Sequence, residues 1–235
     1  MGIILIKLLL AHLFGDFFLQ PNSWVIQKEK KKLKSSKLYW HTLIHILLIF
    51  LVFRSFEVWK MALVIGITHF IIDSVKLIYQ REKTKSLWFF IDQFLHLLVI
   101  LACWINYAQP DFSVLFLYEQ KIWVFGLGVL ILTSPTGTFI KMIIAKWLPE
   151  SGNKISSLQD AGRFIGIIER LLIFLFVCSG HFEAVGFLLA AKSIFRFGDL
   201  KEAHDIKLTE YVLIGTLLSF GFALLVSMMV TYFIN

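Results

Sequence analysis

Long apolar runs separated by short polar intervals set the frame of this chain. They cover 3–20, 38–54, 58–79, 87–107, 122–148, 161–180, 183–197 and 211–233. Runs of about 20 apolar residues match the hydrocarbon thickness of a bilayer when wound as helix. The pattern therefore predicts an all-α, polytopic transmembrane bundle of about eight spans, divided into a half over 1–107 and a half over 108–235. Two spans depart from the simple form. The fifth carries Thr133-Ser134-Pro135-Thr136-Gly137-Thr138 near its middle. There proline removes a donor and clashes with the preceding turn, and hydroxyls are at hand for freed carbonyls, so a kink or broken helix is expected. The seventh is short, and both a full crossing and a re-entrant segment fit it.

Composition agrees with this frame. The chain of 235 residues is 58% hydrophobic with mean hydropathy +0.77, above the roughly 45–50% of a soluble domain. The net charge of +7 does not indicate nucleic-acid binding, because the lysines and arginines gather in short loops as orientation signals do. Lys28, Lys30, Lys31, Lys32, Lys34 and Lys37 mark 21–37 as the most basic loop; Arg81, Lys83 and Lys85 mark 80–86. Both are expected on the cytoplasmic side, with 108–121 outside and both termini outside. The first span is expected to be retained, since it carries His12 and Asp16 and no small-residue cleavage site follows. Cys103 and Cys178 lie in apolar runs and read as small buried hydrophobes.

The chemistry concentrates in the first half. His12 and Asp16, His41 and His45, His69 and Asp73, and Asp92 and His96 are all spaced i, i+4, so each pair lies on one helix face a turn apart. The first pair maps onto the third with an offset of 57 residues and the second onto the fourth with an offset of 51, which suggests two repeated helical hairpins. At ~1.5 Å per residue all eight groups fall in the cytoplasmic half of the bilayer. Ionisable groups there are costly and need a reason. Imidazole and carboxylate together suit a divalent transition metal, Zn²⁺, Mn²⁺ or Fe²⁺. Eight groups exceed one tetrahedral site, so some are expected as supporting partners or as ligands of a second ion. Gln93 reads as such a supporting partner; Gln20 and Lys76 read as interface residues, the lysine snorkelling.

The second half has its own charges inside spans: Arg163, Glu169, Arg170, Lys192 and Arg196. Two uses fit. The positive excess of Arg163, Arg170, Lys192 and Arg196 suits an anionic substrate such as a phosphate headgroup; alternatively Glu169 pairs with Lys192 or Arg196 for structure. Gly162 and Gly166 form a small-xxx-small step that allows close helix contact.

Three functions fit these features. One is an intramembrane metal-dependent enzyme, a hydrolase acting on a lipid or phosphoester at the cytoplasmic leaflet through a metal-activated water. Another is a transporter or proton-coupled carrier using the His/Asp cluster, for which Thr133 and Thr136 would line a continuing path. The last is a membrane scaffold acting through the basic loop. The pairs can also simply hold helices together.

On the residues HLFGDFFLQ (12–20), HTLIH (41–45), HFIIDSVK (69–76), DQFLH (92–96), AGRFIGIIER (161–170), KSIFRF (192–197) and EYVLIGTLLS (210–219), the chain resembles a bacterial integral membrane family known as domain of unknown function 3307. That resemblance implies a bacterial cytoplasmic membrane and brings no activity. A looser similarity in residue type and spacing is to membrane-bound metal-dependent hydrolases, and it implies hydrolysis by analogy alone.

Overall fold

A computed structural model describes the backbone of residues 2–108, 121–147, 161–200 and 206–234, and side chains except those of 195–200 and 206–208 and the end residues 2 and 108. The described residues are almost all helical and form no strand. Residues 109–120, 148–160 and 201–205 lie outside them, and with them most of the predicted loop 108–121 and the segment around Lys201. The chain divides into two compact units, Met1–Leu127 and Gly128–Asn235.

In the first unit α1 (Gly2–Phe17), α3 (Ser36–Phe53), α4 (Trp59–Tyr79) and α5 (Lys85–Ala108) form a closed ring in which each helix packs on the next and α5 returns to α1. The helices alternate in direction because their connections are short. Leu8, Ala11, Leu48, Ile49, Met61, Ala62, Ile65, Ile100 and Trp104 fill one continuous apolar layer of the interior. The basic stretch after α1 is not a loop. After Pro21 the chain turns by 77° into α2 (Asn22–Lys31), followed by a 3₁₀ turn at Lys32–Lys34. Proline in extended conformation before the first helical residue ends one helix and starts another.

The second unit contains most of the interrupted span, α8 (Ala161–Cys178), α9 (Phe182–Leu200) and α10 (Ile206–Ile234). The expected break occurs: α6 (Lys121–Leu132) stops and α7 (Ser134–Ile144) begins beyond Thr133, whose φ of −86° and ψ of −119° leave the helical region. Pro135 sits in the first turn of α7, where its missing N–H costs nothing. α8 packs on α10 and α9, and α7 on α10 and α8.

Five helical segments are long and apolar enough to cross a membrane: Ser36–Phe53, Phe56–Tyr79, Glu82–Tyr107, Lys121–Trp147 and Thr209–Ile234; the bent pair α1–α2 would make a sixth. The eight expected crossings are thus not all met by length and composition. α8 carries Arg163, Glu169 and Arg170, α9 carries Glu183, Lys192, Arg196 and Asp199, and α1 is only 16 residues long. A chain with this many apolar helices fits a membrane protein.

Candidate metal centre

The eight predicted residues meet. Every helix of the ring brings its i, i+4 pair inward, one member to each of two adjacent levels. The first level holds one imidazole per helix: His12 from α1, His45 from α3, His69 from α4 and His96 from α5. His45 and His96 stack on His69 with ring centroids 3.9 and 4.0 Å away, and His12 lies 5.8 Å from His45 and 5.2 Å from His96. The second level, one turn along each helix, holds Asp16, His41, Asp73 and Asp92. The seven residues other than Asp16 are each buried to 5% exposure or less, and the Asp16 side chain is 10% exposed.

Asp16 is the hub. Its Oδ1 lies 3.0 Å from Nε2 of His45, 3.2 Å from Nε2 of His41 and 3.6 Å from Nε2 of His69. His41 and His69 bring their Nε2 atoms within 3.1 Å of each other. Three ring nitrogens thus aim at one carboxylate oxygen. Neutral imidazole offers one donor nitrogen and one acceptor nitrogen, so each ring can either donate to this oxygen or present a lone pair toward the same point. His12, Asp16, His45 and His69 hold their ligand atoms within 4.8 Å of one another, as do His41, His69 and Asp73, and Asp16, Asp92 and His96.

Glycine makes the close approach of α1 and α3 possible. A Cβ on Gly15 would lie 2.5 Å from Cε1 and 2.6 Å from Nε2 of His45. Only a residue without a side chain lets that ring reach Asp16.

Around the cluster, Gln93 supports the carboxylates as its sequence position suggested. Its amide donates to Asp16 Oδ2 at 2.8 Å and to Asp92 Oδ2 at 3.2 Å, and its carbonyl oxygen lies 3.4 Å from His12 Nε2. Two residues read as interfacial turn inward instead. Gln20 places its amide nitrogen 2.8 Å from His41 Nε2, and Lys76 donates to Asp92 Oδ2 at 2.8 Å. The ion pair explains the correction for Lys76: a carboxylate within reach in a low-dielectric interior competes with snorkelling. Sequence reasoning missed Lys28 altogether. From α2 it reaches down, buried, and donates to Asp73 Oδ2 at 2.7 Å. Asp73 and Asp92 each have a lysine; Asp16 has none among the described residues. Several buried atoms lack any partner, notably His41 Nδ1, Asp92 Oδ1 and both ring nitrogens of His96.

The cations of the second unit have local uses. Arg170 donates through Nε to Leu132 O at 2.6 Å, through a terminal nitrogen to Thr133 O at 2.9 Å, and through the other to Ser219 Oγ at 3.2 Å. It takes the carbonyls freed where α6 ends, and Thr133 and Thr136 bond back to Leu130 O and Ile131 O of the same span. Arg163 donates to Ser134 Oγ at 2.9 Å, and Lys192 pairs with Glu169. Arg196 lies outside the described side chains. Among the described residues, a Cβ on Gly166 would meet Nη1 of Arg170 of its own helix at 3.1 Å, and one on Gly162 would meet nothing within 4 Å.

Residues 4–125, just over half of the chain and all eight members of the cluster, match the family described as Protein of unknown function (DUF3307). No curated protein and no solved structure matches the chain.

Proposed function

The chain belongs to this family of unknown function, and from that premise we propose that it is an intramembrane metal-dependent hydrolase. Its metal centre would comprise His12, Asp16, His41, His45, His69, Asp73, Asp92 and His96, as ligands or their immediate partners. It would act on a lipid or other phosphoester reached from the cytoplasmic leaflet of a bacterial membrane. The observation that carries this reading is the convergence of the Nε2 atoms of His41, His45 and His69 on Asp16 Oδ1. In the tautomers that turn lone pairs to this point, they repel unless a cation lies among them. A bound Zn²⁺, Mn²⁺ or Fe²⁺ would supply Lewis acidity and lower the pKa of a water to about 7.

The residues around the centre suit a phosphoester. Lys28 and Lys76 bring two ammonium groups to the carboxylate level, where they can meet anionic oxygens as well as Asp73 and Asp92. The apolar layer from Leu8 to Trp104 closes one end of the ring and keeps bulk water from it. α2 and the 3₁₀ turn after it lie at the opposite end, with Ile26 and Leu33 exposed and lysines flanking them, as suits a segment in the interface of an anionic leaflet.

The alternative reading is a transporter or proton-coupled carrier. Against it stands the same apolar layer, which interrupts any polar path along the ring, and the hydroxyls of Thr133 and Thr136, which are spent on their own span. The finer topology we propose counts α1, α3, α4, α5, the broken α6–α7, α8, α9 and α10 as eight crossings, with α2 on the inner surface and both termini outside. The ring order supports a duplicated hairpin: exchanging α1 with α4 and α3 with α5 keeps every neighbour and carries His12 onto His69, Asp16 onto Asp73, His45 onto His96 and His41 onto Asp92.

The test uses full-length protein in phosphatidylethanolamine–phosphatidylglycerol vesicles, stripped with chelator and reloaded with Zn²⁺, Mn²⁺ or Fe²⁺. Metal-dependent formation of a cleaved lipid or phosphoester, lost in His69→Ala, is expected. Metal uptake with proton flux and no cleavage of any lipid or phosphoester offered would favour the carrier, and no uptake of any metal would overturn both metal and hydrolase.

A further inference from the structure

We propose that the cluster is a two-metal centre bridged by the carboxylate of Asp16, an inference that rests on the metal-dependent reading above. One ion would sit among His12, His45, His69 and Asp16, and the second between Asp92, His96 and Asp16.

Three observations carry this. The first is ligand supply. A single transition-metal ion takes about four to six ligands, and His12, Asp16, His45 and His69 already offer four donor atoms within 4.8 Å of one another. Asp92 and His96 are then surplus to the first ion, yet with Asp16 they form a group of their own at the same separation.

The second is an imidazole without partners. His96 is 3% exposed, and neither ring nitrogen has a hydrogen bond. Asp92 Oδ1, on the same face one turn away, is also buried without one. Native interiors leave few polar atoms in that state, because each lost bond is costly. The other oxygen of Asp92 is occupied, receiving Lys76 at 2.8 Å and Gln93 at 3.2 Å. Oδ1 is therefore the atom left to ligate. The third candidate group shares this property only at His41 Nδ1: His41 Nε2, the atom facing the cluster, meets Gln20 at 2.8 Å, and Asp73 is held by Lys28 at 2.7 Å.

The third is the disposition of Asp16. Its Oδ1 faces His45 and His69 of the first group, while Oδ2 lies 3.8 Å from His12 Nε2 and accepts from Gln93, which also binds Asp92. Gln93 thus ties the two carboxylates together and holds Asp16 between the two groups. A bridging carboxylate of this kind sets two ions about 3.5–4 Å apart. Charge narrows the substrate. Asp16, Asp73 and Asp92 against Lys28 and Lys76 leave one negative charge, so two divalent ions would leave a surplus of three positive charges with neutral imidazoles. That surplus selects a multiply anionic group, a phosphoester rather than a carboxylic ester.

The experiment strips full-length protein in detergent micelles with chelator, equilibrates it with Mn²⁺, and reads both bound metal by elemental analysis and the electron paramagnetic resonance of the wild type. Two equivalents per chain with an exchange-coupled multiline spectrum are expected, falling to one equivalent with an isolated six-line spectrum in His96→Ala and Asp92→Asn. One equivalent in the wild type, or two that give only uncoupled signals, overturns the bridged pair and leaves the metal-dependent reading standing. No bound metal overturns both. The wild-type spectrum decides the matter even if a variant fails to fold.

Discussion

Two sets of buried charges occupy this chain, and they differ in how their hydrogen bonds close. In the second unit, supply meets demand. Arg170 is buried where a helix breaks, and its donors land on the carbonyls of Leu132 and Thr133 and on Ser219; Lys192 has Glu169. In the first unit the account does not close. Three ring nitrogens crowd around Asp16 Oδ1, while His96 and Asp92 Oδ1 stay unpartnered. The same residue types inside apolar helices thus have different meanings. A charge with matched partners holds helices together, whereas buried imidazole and carboxylate atoms without partners are the kind a bound cation would use, as proposed above.

The sharpest way to break this contrast is to remove the hub. Asp16→Asn keeps the shape and discards the charge, and should cost more than 100-fold in metal affinity by titration, since loss of a mere supporting partner already costs about 10–100-fold. Unchanged affinity would place Asp16 among the structural charges. Next, Arg170→Leu should leave metal content unchanged and destabilise the second unit by about 2–5 kcal/mol, because the carbonyls at the helix break lose their donor, read as a lower Tm in detergent. Gly15→Ala should follow, at about 1–3 kcal/mol, with weaker metal binding, because the added methyl meets the His45 ring at 2.5 Å; Gly162→Ala, with open space, should change neither. Lys28→Met should keep the metal and raise the KM for an anionic phosphoester about tenfold, equivalent to ~1.4 kcal/mol. The smallest effect is expected from the Glu169→Gln, Lys192→Met double-mutant cycle in thermal unfolding, where a coupling of about 0.6 kcal/mol is typical inside membranes.

Much of the first unit could be read from spacing. Four i, i+4 pairs of His and Asp on apolar helices have one economical outcome, a shared interior, and the helices bring them there. The break at Thr133 was equally legible, because proline has a local and unavoidable effect. What escaped depends on tertiary partners. Lys28 sits in a run of lysines that composition reads as an orientation signal, and only its helical phase sets it apart: Trp24 and Val25, four and three residues earlier, share its face. Lys76 and Gln20 look interfacial by position, and it takes the distance to Asp92 and His41 to show them turned inward. A substrate site and a structural pairing both fit the cations of the second half, because sequence does not reveal that the carbonyls of Leu132 and Thr133 wait opposite Arg170. The number of crossings is less settled by the helices than the hydrophobic runs implied, since α8 and α9 mix charges with apolar stretches.

X-ray absorption at the zinc edge of protein reloaded with Zn²⁺ tests the central claim most directly. The account predicts an imidazole-rich shell with Zn–N near 2.0–2.1 Å together with carboxylate oxygen, disrupted in His69→Ala. A zinc environment of oxygens alone, unaltered by that substitution, would contradict it.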